Sequence, residues 1–356
     1  MSYIQNAIKT LSPLVKEHPA IAIASATVLA SSALLLGRRY FAGGVVPKQV
    51  WKSANLEGQV VLVTGSSKGG IGFETVRALY LKGATVVCAV RNVKRGVEEC
   101  EELKSEVSRY NVKGKLDVME LDLNDLQNVK NFCLQFLQKY QRLDILVNNA
   151  GLAQSFGLTK QNLEVHMGVN HIGSFLIVHY LSNLMKETSI TYQKPCKIIN
   201  VASVAHNLVS TEEKALMDKK YIVNNDCSTL VPRGVFLYGR SKLANILFAK
   251  SLERKLSPEY KIGAYSLHPG AVYTNVWRNA TFLVRTVVNA LSLYIMKTPR
   301  GGAQTQIYLC LEDFSKLKNG GYYEDCKLHS ETELARSEKM QDKLWEISEE
   351  LCKEFM

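Results

Sequence analysis

The sequence predicts an α/β fold: a doubly wound parallel sheet with helices on both faces. Two observations carry this. Six short β-branched runs alternate with longer segments of helical spacing, and the first run opens directly into a glycine-rich turn followed by a helix. The runs are Val60 to Thr64, Ala84 to Val90, Leu116 to Leu121, Leu143 to Val147, Lys197 to Val201 and Gly263 to Leu267. Strand followed by helix, repeated, is the pattern of a parallel sheet covered on both sides.

Composition sets the limits. The 356 residues, 46% hydrophobic and 22% charged, exclude a disordered chain, a collagen-like repeat or a coiled-coil array. Forty-four Lys and Arg against 33 Asp and Glu leave a net charge of +11, which suits an anionic cofactor, an anionic membrane surface or nucleic acid. The positive charges are spread rather than clustered and no nucleic-acid-binding motif is present, so no nucleic-acid partner is expected. Eight cysteines without a Cys-x-x-Cys pair or zinc-like spacing read as reduced thiols in a reducing compartment.

Taken in order, residues 1–19 are an N-terminal flank. Ala20 to Gly37 is uncharged, and as a helix it spans about 27 Å, barely a hydrocarbon core. It is a candidate transmembrane or membrane-anchor helix, with a cleaved signal peptide or a core helix as alternatives. Arg38, Arg39, Lys48 and Lys52 follow it and only Lys9 and Lys16 precede it, which keeps the rest of the chain in the cytosol. The expected location is the endoplasmic reticulum membrane or a lipid droplet. The sequon Asn279-Ala280-Thr281 then stays unglycosylated. Residues 38–55 are expected to be a linker and 56–356 a single domain, whose motifs, taken next, are those of an NADP-binding catalytic unit.

The strand Val60 to Thr64 runs into Gly65-Ser66-Ser67-Lys68-Gly69-Gly70-Ile71-Gly72 and then a helix. This is the phosphate cradle of a Rossmann-type fold: glycines let the backbone approach a pyrophosphate, and the helix N-terminus favours its charge. No Gly-Lys-Ser/Thr follows, so it is not a Walker loop. At the end of the second strand, where an acidic residue would take the ribose hydroxyls of NAD, stands Arg91. Arg91 can pair with a 2′-phosphate, with Lys68 assisting, so NADP(H) is expected; a solvated strand-end charge is the plain alternative. Further on, Tyr238 and Lys242 lie four apart in helical spacing and share one face. An adjacent ammonium lowers a phenol from its ordinary value of about 10 and fits it for proton transfer.

More motifs appear in order between Gln59 and about Cys310: Leu121-Asp122-Leu123, Asn148-Asn149-Ala150-Gly151, Asn170-His171-Ile172-Gly173, Asn200-Val201-Ala202-Ser203, Tyr238-Gly239-Arg240-Ser241-Lys242 and Pro269 to Thr274. With Thr64-Gly65 and its glycines, they resemble the short-chain dehydrogenase/reductase family. The phrases YGRSKLAN (238–245) and KTPRGGAQTQIY (297–308) are most similar to its retinol dehydrogenase and WW-domain oxidoreductase branch, whose members act on lipophilic alcohols and carbonyls. One departure stands out. The family spacing Thr-Gly-x-x-x-Gly-x-Gly is lengthened here by one residue, which aligns Gly70 and Gly72 with the last two glycines and leaves Lys68 and Gly69 in the insertion.

The resemblance implies that Tyr238 exchanges a proton with the substrate oxygen and that Lys242 binds the nicotinamide ribose. It implies that Ser203 orients the substrate and that Asn170 holds a water relaying protons to Lys242, a structural role being the alternative for Asn170. Ser203 lies outside a Gly-x-Ser-x-Gly elbow, so covalent chemistry is not expected. For the cofactor, the expected contacts are Gly65, Ser67, Gly70, Ile71 and Gly72 at the phosphates, Arg91 at the 2′-phosphate, and Asp122 and Asn149 around the adenosine. Val272 and Thr274 are expected at the carboxamide, with a helix N-cap the bland reading of Thr274. His171, His206 and His268 lie near these motifs without a second ligand, and no metal is assigned; Asp226 and Cys227 read as loop surface.

Residues 206–236 are expected to form a loop over a lipophilic substrate. The nearly apolar 280–297 is a substrate lid or an ordinary buried helix, and 331–355 is a C-terminal helix packed on the domain or on a partner, a homodimer included. The expected function is membrane-associated NADP-dependent hydride transfer, in the reductive direction, to a retinoid, steroid, fatty aldehyde or other lipid carbonyl. The rival is a membrane-tethered NADP-binding module without turnover, against which the joint presence of Asn170, Ser203, Tyr238 and Lys242 argues.

Overall fold

Alternation along the strands divides the interior into two cores. In β1 (Val60–Thr64), Leu62 packs on one side of the sheet, while Val61 and Val63 pack on the other. The same division holds for Leu146 against Ile145 and Val147 in β4 (Ile145–Asn148), and for Ile198 against Ile199 in β5 (Cys196–Val201). A strand buried on both faces is a run of apolar residues rather than an alternating one, which is how these runs read in the sequence.

A computed structural model of the protein describes residues 43–153, 157–209, 219–223, 233–256, 260–272 and 296–356. The predicted anchor 20–37, the sequon, Asp226, Cys227, Thr274 and nearly all of the 280–297 segment lie outside the described residues. No helix among the described residues is long and apolar enough to cross a membrane.

The sheet is completed by β2 (Thr85–Val90), β3 (Lys115–Glu120), β6 (Ile262–His268), β7 (Tyr322–Glu324) and β8 (Lys327–His329). Its order is β3-β2-β1-β4-β5-β6-β7-β8, parallel throughout except for β8, which runs antiparallel to β7. All six predicted strands are present, with ends that differ by one or two residues. Sequence analysis did not find β7 and β8, which at three residues each are too short to show a period; Asp325 and Cys326, at φ 50° and 60°, make the tight turn between them.

Helices α1 (Ile71–Leu81), α2 (Val93–Glu106) and α6 (Gln304–Leu311) cover one face. Helices α3 (Leu126–Lys139), α4 (Gly173–Thr191) and α5 (Arg233–Leu256) cover the other. The starts of α2 and α3 are set by Asn92, which accepts from Arg95 N at 3.0 Å, and Asp125, which accepts from Gln127 N at 3.0 Å. Each such cap stabilises its helix by about 1 kcal/mol. The predicted C-terminal helix is a short turn, Glu333–Arg336, followed by α7 (Glu338–Cys352). It packs back on the domain, where Leu344 and Ile347 meet Leu243 and Leu247 of α5.

Because β1 is followed by β2 and β3 on one side and flanked by β4 on the other, the chain reverses direction between β1 and β4. Open parallel sheets bind ligands at the carboxyl ends of the strands at this reversal.

Candidate active site

Thr64 and Asn149 build the floor of the cleft. Thr64 Oγ1 accepts from the backbone N–H groups of Asn149 and Ala150, both at 3.0 Å, which ties the end of β1 to the end of β4. Asn149 Nδ2 returns two bonds, to Thr64 O at 2.7 Å and Gly65 O at 3.1 Å. The Asn149 side chain is therefore committed to holding the glycine loop, and only its backbone is left for the adenosine contact expected of it.

Gly65 sits at φ +65°, and a Cβ there would lie 2.7 Å from Ala150 Cα, so both conformation and space require glycine. The lengthened turn places its second left-handed residue at Gly69, φ +87°, whereas Gly70 is extended and precedes α1. No side chain caps α1, which leaves its first N–H groups, at Ile71 and Gly72, at the cleft. Gln306 of α6, which the sequence reading passed over, holds this helix from behind: its amide donates to Ile71 O at 3.2 Å and to Thr75 Oγ1.

Ser67 is exposed on the loop. The Lys68 backbone N–H donates to Glu99 Oε2 at 2.8 Å and its ammonium pairs with Glu102, both on α2. Lys68, expected to assist at a 2′-phosphate, is here paired with a carboxylate. Arg91 is exposed at the end of β2 and, among the described residues, makes no hydrogen bond or ion pair. Asp122, after β3, accepts from Asn124 N at 3.1 Å through one carboxylate oxygen.

Asn170, Ser203, Tyr238 and Lys242 come together across β4, β5 and α5. Tyr238 and Lys242 share a face of α5, as their spacing predicts, and Ser203 follows β5 within hydrogen-bonding reach of the phenol. Lys242 Nζ donates to Val201 O at 2.9 Å. A side chain at Gly151 would put its Cβ 3.2 Å from Lys242 Nζ and 3.3 Å from Asn170 Oδ1, so the lysine and the asparagine both lie against this glycine.

Asn170 does not lie in an ordinary α-helix. It sits in a π turn, Gly168–Ile172, between the helical turn Val165–Met167 and α4. Such one-turn insertions often mark functional positions, because they aim a side chain out of register. The Asn170 amide accepts from Leu152 N at 2.8 Å and donates to Leu152 O at 3.1 Å and Ser241 Oγ at 2.9 Å. Its side chain thus bolts the strand β4 exit to α5 while its Oδ1 lies, with Lys242 Nζ, against Gly151.

The titration of the pair differs from expectation. Burial raises the Tyr238 phenol above its ordinary value, and the hydrogen bond with Ser203 opposes this only in part. Lys242 lies over the ring face, 5.4 Å from its centroid, and burial draws its own ammonium down to about 8. Desolvation therefore outweighs the ammonium's effect on the phenol that sequence reasoning anticipated.

Val272 is buried against Gly302, and the backbone on either side of residues 273–295 is joined by a bond from Lys297 N to Ala271 O at 2.7 Å. His171 donates to or accepts from Ser348 Oγ at 2.9 Å, and His206 Nδ1 meets Ser203 O at 2.7 Å, so both serve packing around the site. Sequence reasoning also missed Glu164 and His166 and gave Arg240 no role. Their one signal is charge amid apolar neighbours, since all three are fully buried.

A short chain dehydrogenase family model matches residues 59–214. Retinol dehydrogenase 12 of Homo sapiens is 34% identical over 315 residues, 88% of this chain and 91% of its own length. Retinol dehydrogenase 14 of Homo sapiens is 34% identical over 345 residues, 93% of this chain and 98% of its own. The WW domain-containing oxidoreductase of Gallus gallus is 33% identical, over 89% of this chain and 73% of its own. In fold, the chain resembles L-sorbose reductase from Gluconobacter frateurii, complexed with NADPH and L-sorbose, with a TM-score of 0.56 at 18% identity over 76% of this chain and 95% of that one.

Proposed function

The chain belongs to the short-chain dehydrogenase/reductase family, on its retinol dehydrogenase-like branch, and on that premise we propose that it transfers hydride between NADP(H) and a lipophilic carbonyl or alcohol, in the reductive direction, at a membrane surface. One observation carries the reading: Asn170, Ser203, Tyr238 and Lys242 meet at the carboxyl edge of the sheet beside a glycine cradle.

The residues present fit a dinucleotide. Gly65 leaves no room for a side chain, and the uncapped N–H groups at Ile71 and Gly72 suit phosphate oxygens. Arg91 suits a 2′-phosphate, Lys242 the nicotinamide ribose, and Val272 with Thr274 the carboxamide. The bound nucleotide supplies the hydride. Ser203 orients the carbonyl, and the Tyr238 phenol donates the proton; its raised pKa keeps the proton in place until the oxygen becomes basic. Lys242 and Asn170, which both lie against Gly151, are the groups through which that proton is replaced. The relatives named for retinol, the apolar 280–297 segment and the candidate anchor 20–37 favour a lipid-borne substrate and the cytosolic face of the endoplasmic reticulum or a lipid droplet.

The test is NADPH oxidation by detergent-solubilised protein against retinal, medium and long aldehydes and ketosteroids, with NADH and Tyr238→Phe as controls. Turnover of one substrate class, lost in the variant, is expected. Tight NADPH binding with no reduction of any class would replace this reading with a tethered nucleotide-binding module.

A further inference from the structure

Glu164 is fully buried, and its carboxylate accepts from the backbone N–H groups of His166 at 2.9 Å and Met167 at 3.1 Å, from His166 Nδ1 at 2.6 Å and from Arg240 Nη2 at 2.9 Å. Burial opposes its charge, but the hydrogen bond from His166 and the charges of Arg240 and His166 overcome this and hold it down to about 2. The cluster joins three pieces of chain. Glu164 caps the turn that leads into the π turn of Asn170. Arg240 lies on α5 between Tyr238 and Lys242. The Glu164 backbone N–H donates to Ile222 O at 2.7 Å, and Leu163 bridges Val223, so the 219–223 stretch of the predicted substrate loop is seated on the backbone of Leu163 and Glu164.

Contacts continue along this seam. The His166 ring meets the Tyr238 ring edge-on, with centroids 6.2 Å apart, and Asn170 donates to Ser241. Stability alone does not call for such a cluster, since apolar residues of similar volume often replace a buried ion pair with no loss. What directional bonds add is register: three donors of its own turn fix the carboxylate, and the bond from Arg240 Nη2 then sets α5 against that turn.

We propose that Glu164 is a positioning residue: its backbone seats the 219–223 segment and its carboxylate holds Arg240 of the Tyr238 helix, so that substrate-loop seating and phenol placement depend on one residue. This rests on the oxidoreductase reading in taking Tyr238 as the proton donor.

Glu164→Gln and the milder Arg240→Lys, made in the full chain, test it. Three readouts are needed: steady-state kinetics, NADPH affinity by fluorescence, and hydrogen exchange. For Glu164→Gln, kcat is expected to fall about ten- to hundredfold, with a raised KM for the carbonyl substrate and NADPH affinity within about twofold of wild type. Exchange is expected to rise together in 219–223 and 236–242 while α3 stays protected, and Arg240→Lys should recover part of kcat. Unchanged kcat, exchange that rises in one segment alone, or loosening spread across all helices would overturn the proposal. If the wild type reduces no carbonyl, the oxidoreductase reading fails and the exchange pattern alone decides this one.

Discussion

Two lysines stand at opposite ends of β5, alike in burial and charge and unlike in what meets their donors. Lys197, at the strand's start, donates to the carbonyls of Leu309, Cys310 and Glu312 at 3.0, 3.2 and 2.5 Å, which close the C-terminal end of α6. Lys242 donates to Val201 O, at the strand's end, and lies against Gly151. Burial draws both ammonium groups down to about 8. An ammonium has three donors. Those of Lys197 are all engaged with backbone, whereas among the described residues Lys242 Nζ makes one hydrogen bond and has donors left for a ligand. A displaced pKa therefore does not by itself mark a functional lysine; on the proposed reading, open donors at the carboxyl edge of the sheet do.

The largest expected effect breaks this pair apart. Lys242→Met should lower kcat/KM by about two to four orders of magnitude with little change in unfolding midpoint. Lys197→Met should do the reverse, leaving the carbonyls of α6 without a donor at a cost of about 2–4 kcal/mol, while turnover per folded molecule stays at the wild-type level. Steady-state kinetics beside urea unfolding measure both. A fully folded Lys197→Met protein that had lost turnover would show the two ends of β5 to be coupled, and the contrast would be wrong.

The contrast also explains what was legible in the sequence. The glycine turn, the strand runs and the Tyr238–Lys242 spacing are local patterns, and each fold element they predict is present. Lys242 was legible because its partner lies one helical turn away. Glu164 and Arg240 are 76 residues apart, Lys68 and Glu102 are 34 apart, and nothing local to any of the four announces the pairing. The π turn at Asn170 was equally hidden, since Gly168-Val169-Asn170-His171-Ile172 fits an α-helix as well and only packing against Leu152 and Ser241 selects the wider turn. Sign and strength of the Tyr238 shift depend on burial, which a sequence states only on average.

A second prediction follows from the shared titration. Each lysine holds its proton to 10.5 in the unfolded chain and to about 8 in the folded one. Between those values the unfolded chain binds the proton that the folded chain has lost, so each group makes stability rise with pH across that window, and the contribution is absent below about pH 8. Urea midpoints from pH 7.5 to 10.5 should show a shallower rise in either Met variant than in wild type. Activity separates the two: kcat/KM should fall above about pH 8 as Lys242 deprotonates in the free enzyme, and Lys197→Met should leave that limb in place.

The smallest effect carries the same reasoning to the nucleotide end, where Arg91 makes no hydrogen bond or ion pair among the described residues and Lys68 is paired with Glu102. Arg91→Ala should raise KM for NADPH about tenfold, the loss of one charge-assisted contact, and leave KM for NADH unchanged. Lys68→Ala should change KM for NADPH by less than about twofold, because its ammonium is exposed, screened and already paired with Glu102, while its backbone is anchored to Glu99. Glu102→Gln then decides between two behaviours of the lengthened loop. If the loop is fixed by the Glu99 bond, releasing the ammonium leaves NADPH affinity unchanged; if the Glu102 pair is what keeps Lys68 from the 2′-phosphate, KM for NADPH falls, and Lys68→Ala in that background restores it.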